Sequence, residues 1–280
     1  MTAAPFGVRL QTVFDTEGHL CVGIDPHAAM LDAWGLPDTA VGLERLARAV
    51  VAASSGRVGI VKPQVALFER HGAAGYAALE RVLRDAQEAR LLVIADVKRG
   101  EIASSMAGYA DAWLRPGSPL EADAITLNPY LGFGSLSATI DAALLAGKGV
   151  FVLAATSNPE AAALQSAMLE SSITVAADIA RQAGERNVVS GGGLGSVGLV
   201  LGGTIHLADF GIDPHDLIGT PILAPGFGHQ GAAASSLRAT FGPLAAGTIV
   251  NQSRSLLSAG AAGIVSAIER EQDAIREALR

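Results

Sequence analysis

Cysteine is almost missing from this chain. Cys21 is the only one in 280 residues, so no disulfide can close within the chain, and CxxC-type zinc or redox motifs are excluded. Basic runs are missing as well. Lys and Arg number 20 against 27 Asp and Glu, a formal net charge of −7 with a pI near 5.3. With no Lys/Arg cluster to grip a phosphodiester backbone, a nucleic-acid partner is not expected. No apolar stretch approaches the ~18 residues that a membrane span needs. The first twenty residues carry Arg9, Asp15 and Glu17 and lack the apolar centre of a signal peptide. The six histidines are scattered without HxxxH-like spacing, so no metal is expected. Aromatics make up only 5%; Trp34 and Trp113 read as packing residues, and Cys21 as a small core hydrophobe. These absences leave a cytoplasmic enzyme-sized globule as the expectation.

What is present is apolar and alternating. Half the residues are hydrophobic and mean hydropathy is +0.37, spread over many short runs. That length suits one α/β barrel or two modest domains. Short runs rich in Val and Ile fall at 20–25, 58–61, from 91, and at 122–127, 149–155, 197–201, 221–224 and 248–250. Helical periodicity or Pro/Gly-rich loop separates them. Helices are expected at 38–51, at 66–90 with a break near His71-Gly72, at 102–114, through Leu145, at 161–186, briefly at 206–210, and from Ser255 to the end. Strict βα alternation demands a parallel sheet. Eight units at this length point to a single (β/α)8 TIM barrel over 1–280, with a doubly wound open sheet as the competing architecture. Gly193-Leu194-Gly195-Ser196-Val197-Gly198 matches GxGxxG, but it precedes a strand instead of following one, so it reads as a connecting loop.

The run Leu91-Leu92-Val93-Ile94-Ala95-Asp96-Val97-Lys98-Arg99-Gly100-Glu101-Ile102 is the most informative stretch. It reads as a buried parallel strand that ends in charge. Asp96 and Lys98 are two apart and so share a strand face. Opposite charges there must pair. The spacing alone leaves open whether the pair is structural or catalytic.

In a barrel the strand C-termini form the active-site face. There the chain places Asp25, Lys62, Asp96, Lys98, Thr126, Asn128, Ser157, Asn158, Gln230 and Arg254. Carboxylates between two lysines would keep both protonated. A protonated Lys aimed at a substrate carbon can stabilise a developing carbanion and deliver a proton. Pro225-Gly226-Phe227-Gly228-His229-Gln230-Gly231 follows the seventh strand, and Arg254 the eighth, the usual phosphate position of this fold. His229 reads as a solvated loop residue.

With these residues the chain resembles the orotidine 5′-phosphate decarboxylase family, in its longer bacterial subgroup. The resemblance spans about 21–258. It is carried by Gly23-Ile24-Asp25-Pro26, Val61-Lys62-Pro63-Gln64, Asp96-Val97-Lys98-Arg99-Gly100-Glu101-Ile102, Thr126-Leu127-Asn128-Pro129-Tyr130, Thr156-Ser157-Asn158-Pro159, the 225–231 loop and Ser253-Arg254. It implies decarboxylation of orotidine 5′-phosphate to UMP in pyrimidine synthesis, without metal or cofactor. Lys98 would protonate the ring carbon that loses carbon dioxide. Asp96 would face the substrate carboxylate and orient Lys98. Lys62 and Asp25 would hold the ribose hydroxyls, Ser157 the pyrimidine, and Gln230 and Arg254 the phosphate. Thr126, Asn128, Asn158, Pro225, Gly226 and Gly231 would complete the substrate site. The family forms homodimers with shared sites, in which the residues at positions 101 and 105, here Glu101 and Ser105, reach into the neighbour's site. The family has Asp where this chain has Glu101. The extra methylene moves the carboxylate by more than about 1 Å, a displacement that can cost about 10²-fold in rate.

Two other readings use the same residues. One is a phosphate-binding barrel lyase or aldolase in which Lys98 is a Schiff-base nucleophile. The other is a non-catalytic nucleotide-binding barrel.

Overall fold

The computed structural model describes residues 4–187, 193–229 and 231–280. Eight parallel strands close in sequence order. They are β1 (Leu20–Ile24), β2 (Ile60–Pro63), β3 (Leu92–Arg99), β4 (Ala124–Leu127), β5 (Gly149–Ala155), β6 (Val197–Leu201), β7 (Ile222–Pro225) and β8 (Thr248–Gln252). The ring is sealed by β8 against β1, with Leu20 opposite Val250 and Val22 opposite Gln252. The closed barrel replaces the open-sheet alternative.

Strand side chains alternate between two environments. Outward residues such as Val22, Val61, Val93 and Ile125 pack under the surrounding helices. Inward residues Cys21, Ile60, Ile94, Ala124, Phe151 and Ile249 fill the lumen. One inward step further along, four of those strands change character: Ile60 gives way to Lys62, Ile94 to Asp96, Ala124 to Thr126 and Ile249 to Asn251. The lumen is therefore apolar at its floor and polar at its mouth.

The floor is closed by an element outside the eight-unit expectation. A helix over Phe6–Thr16 buries Phe6, Leu10, Val13 and Phe14 against the lumen residues. Phe6 meets Phe151 edge-on, with centroids 5.9 Å apart. Gly149 makes room for it, since a Cβ there would lie 2.4 Å from the Phe6 ring. Each buried side chain of this size contributes about 1.5–3 kcal/mol of transfer free energy.

Two long helices of the expectation are divided. The 161–186 run breaks into Ala162–Gln165 and Val175–Glu185. Between them Ser172 takes φ +62°, and Met168 bridges to Thr174. The physical reason is Thr174: its hydroxyl accepts from the Ala177 amide at 3.0 Å as an N-cap and donates to the Phe210 carbonyl, bonds a mid-helix threonine would not make. The C-terminal helix likewise divides into Arg254–Leu257 and Gly260–Leu279, with Gly260 at φ +69°. The expected break near His71-Gly72 is present, between Val65–Glu69 and Gly72–Glu88. The GxGxxG stretch leads into β6, as a connecting loop should.

Candidate active site

The mouth of the barrel opens into a cavity of about 860 Å³. Its wall is built from the strand ends. Lys62, on β2, is buried and donates to Asp96 Oδ2 at 2.9 Å. Lys98 donates to Asp96 Oδ1 at 2.6 Å, and the Thr126 hydroxyl donates to the same oxygen at 2.9 Å. Gln64, with its amide nitrogen turned inward, donates to the Asp96 carbonyl at 3.0 Å and to Oδ2 at 3.2 Å. One carboxylate thus gathers two ammonium groups and two neutral donors. The Lys62 side chain is only 5% accessible, whereas that of Lys98 is 44% accessible.

Burial opposes charge on both Asp96 and Lys62, and their partners outweigh it. The Lys62 and Lys98 ammonium groups hold the Asp96 carboxyl well below the usual carboxylate range. Burial would lower Lys62, but Asp96 and Asp25 keep it above its ordinary value. Both therefore stay ionised across neutral pH.

The strand that carries Asp96 and Lys98 is not regular between them. Ala95 pairs with Ile125, and the next matched pair is Arg99 with Leu127, so β3 spends two more residues than β4 over that interval. Lys98 takes φ +45°, a conformation that costs a non-glycine residue on the order of 1–3 kcal/mol. Same-face alternation is therefore not what brings the two side chains together. The bulge does, with the Lys98 amide donating to Thr126 Oγ1 at 2.9 Å.

Asp25, Asn128, Ser157, Asn158, Pro225, Gly226 and Arg254 also line the cavity. Asp25 accepts from the Ser253 hydroxyl through Oδ2, while its buried Oδ1 has no hydrogen-bond partner among the described residues. Arg254 opens a short helix, and no ion pair engages it among the described residues. In the 225–231 loop, Gly226, Gly228 and Gly231 all have positive φ, which lets the turn expose its backbone. Gly231 itself is not among the lining residues. Gln230 lies outside the described residues. His229 is exposed, as read, yet also faces the cavity.

Two expected residues stand apart. Glu101 does not join the lysines; its carboxylate accepts from the Ile102 amide at 2.9 Å. Ser105 is exposed on the Ala103–Trp113 helix. Neither lines the cavity of its own chain.

Sequence reasoning missed several participants. Gln64 and Ser253 sit one or two residues from predicted site residues and grip Asp96 and Asp25. Gln165 accepts from the Thr156 amide at 2.9 Å and donates to its hydroxyl at 3.0 Å, tying down the turn that holds Ser157. Strand-end adjacency could have flagged Gln64 and Ser253; nothing local points to Gln165. The apolar floor of Leu153, Val200 and Leu223 is legible only once the barrel is closed. Among the described residues, no group of three or more His, Cys, Asp or Glu side chains is placed to hold a metal ion.

Comparison with known proteins agrees with this geometry. The family model described as Orotidine 5′-phosphate decarboxylase / HUMPS family matches residues 18–267. A curated Salinispora tropica relative, named orotidine 5′-phosphate decarboxylase, is 48% identical over 257 residues, covering 91% of this chain and 90% of the relative. A Streptomyces coelicolor relative of the same name is 46% identical, covering 91% of each. A crystal structure from Streptomyces avermitilis, described as a candidate orotidine 5′-phosphate decarboxylase, superposes with TM-score 0.95 at 44% identity, covering 100% of this chain and 97% of that one. The chain belongs to the orotidine 5′-phosphate decarboxylase / HUMPS family.

Proposed function

We propose that the chain, working as one barrel unit, converts orotidine 5′-phosphate to UMP and carbon dioxide in pyrimidine synthesis, using side chains without a cofactor. The observation that carries this reading is the Lys62–Asp96–Lys98 array lining the same cavity as Arg254. The bond between the ring carbon and the carboxyl group breaks. Its electron pair stays on the ring carbon, and Lys98 delivers a proton there. Lys98 then regains a proton from solvent.

Asp96, held ionised, faces the substrate carboxylate and fixes Lys98 in line. Stabilisation of the carbanion by a preorganised ammonium supplies the rate; repulsion of the substrate carboxylate by Asp96 is a contested addition. Lys62 and Asp25 take the ribose hydroxyls, Ser157 the pyrimidine edge, and Arg254 with Gln230 and the 226–231 backbone the phosphate. Thr126, Asn128, Asn158 and Pro225 complete the walls. Phosphate binding far from the breaking bond orders the site, and the 225–231 loop serves as its lid.

The working form is a cytoplasmic homodimer with shared sites. Glu101 and Ser105 stand outside their own cavity, and Ile102, Tyr130 and Leu131 expose apolar side chains, features that suit a second copy.

One assay tests the reading. The purified chain is incubated with orotidine 5′-phosphate in the presence of a chelator, and the ultraviolet change is followed. Turnover to UMP is expected; an unchanged spectrum overturns the proposal, and tight UMP binding without turnover favours a nucleotide-binding barrel. Borohydride trapping of a substrate adduct on Lys98 would instead favour the aldolase chemistry.

A further inference from the structure

Arg99 follows the lysine of the site but points away from the cavity. Its Nη1 donates back to the Val97 carbonyl at 3.3 Å, across Lys98. The other polar atom of that same peptide, the Lys98 amide, donates to Thr126 Oγ1 at 2.9 Å. The peptide plane that sets φ of Lys98 is therefore fixed at both its carbonyl and its amide. Beyond it, the Asn128 amide donates to the Arg99 carbonyl at 2.8 Å, where β3 rejoins β4.

The guanidinium is itself held from three helices. Glu69 of the Val65–Glu69 helix pairs with Nη2. Tyr76 of the Gly72–Glu88 helix donates its hydroxyl to Glu69 at 2.6 Å. Tyr109 of the Ala103–Trp113 helix lies under the guanidinium, 5.2 Å from ring centroid to its carbon. Nothing in this cluster faces the cavity, so it binds no substrate.

We propose that Arg99 is a positioning residue: anchored by Glu69 and Tyr109, it pins the Val97–Lys98 peptide and so holds Lys98 in the left-handed conformation that sets its ammonium against Asp96. A strained backbone persists only where its surroundings over-determine it, and Arg99 supplies the half of that constraint that Thr126 does not. The inference rests on the reading of Lys98 as proton donor.

The test uses Arg99→Met, which keeps the stem on Tyr109 and removes the guanidinium, together with Glu69→Gln and Lys98→Ala. Arg99→Met should lower kcat by on the order of 10²-fold, with KM within about threefold, as a misaligned group would. Glu69→Gln should lower kcat by about tenfold on the same argument. The chain has three lysines, Lys62, Lys98 and Lys148, so lysine-selective 15N labelling resolves the Lys98 amide. That amide should shift and exchange faster in Arg99→Met, with Lys62 and Lys148 unmoved. Unchanged kcat, a loss confined to KM, or an unmoved Lys98 amide overturns the positioning role. If Arg99→Met does not fold, Glu69→Gln decides by the same measurements. Turnover retained by Lys98→Ala would sink the proton-donor reading itself. An inactive Lys98→Ala beside a fully active Arg99→Met sinks only the role of Arg99.

Discussion

At the floor of the barrel, Lys148 donates to Glu121 at 2.6 Å and lies 3.9 Å from Asp123. Asp123 also takes Arg9 from the N-terminal helix and the Val93 amide at 2.9 Å. Two cations answer two anions, and the cluster ties the N-terminal helix to the strands. At the mouth, Lys62, Lys98 and Arg254 stand against Asp25 and Asp96; Asp178, on the far wall, is taken by Arg181. Arg181 also pairs with Glu185, Arg254 has no ion-pair partner among the described residues, and one Asp25 oxygen has no hydrogen bond among them. A balanced cluster closes on itself and serves the fold. A cluster with an unpaired guanidinium facing a cavity is suited to an anionic ligand.

Four substitutions sharpen this contrast. Asp96→Asn should have the largest effect, because it strands Lys62, whose side chain is only 5% exposed. A loss of about 3–5 kcal/mol in urea unfolding is expected from breaking a buried pair, together with loss of turnover. The same pairing sets the pH response. Asp96 is depressed in the fold, so its contribution is present above its free value near 4 and drains as pH falls below about 4. Lys62 is raised, so its contribution is complete below about 10 and lost as pH climbs past it. Thermal unfolding of the parent chain should be flat between those limits with respect to this pair, and Asp96→Asn should lose the acid limb.

Arg254→Met comes next. On the proposed reading it removes a charge-assisted contact to phosphate, about 1.5–3 kcal/mol, so KM should rise about ten- to hundredfold with the melting temperature nearly unmoved. Asp123→Ala should do the reverse, costing about 1–3 kcal/mol of stability from its lost bonds while kcat keeps its value. Equal effects of these two on both readouts would erase the distinction between the ends. Glu101→Asp should have the smallest effect. If the longer side chain misplaces its carboxylate, activity is preserved or rises; a fall would mark a site built for glutamate.

The barrel was legible because its strands are short apolar runs rich in Val and Ile, cut off at the mouth by a polar residue or proline, or in β6 by Gly202-Gly203. Strand ends shifted by a residue or two, as at β2 and β4, without moving a site residue. The N-terminal helix is written in the spacing of Phe6, Leu10, Val13 and Phe14, yet no local signal says that it stoppers the lumen. The 161–186 run has the composition of one helix, and only the tertiary bond from Thr174 to Phe210 makes a break worth more than continuity. In the site, Lys62, Asp96, Lys98 and Arg254 were readable as polar intruders at strand ends. The bulge was not, since it depends on register with β4, and the partner of Gln165 depends on a turn nine residues away.

Cys21 sits wholly buried inside the lumen, and burial above all pushes its thiol up to about 12. A lone thiol so sealed is invisible to thiol-alkylating and disulfide reagents until strands part. Its labelling rate therefore clocks how often the staves of this cask separate, with no probe added to the molecule.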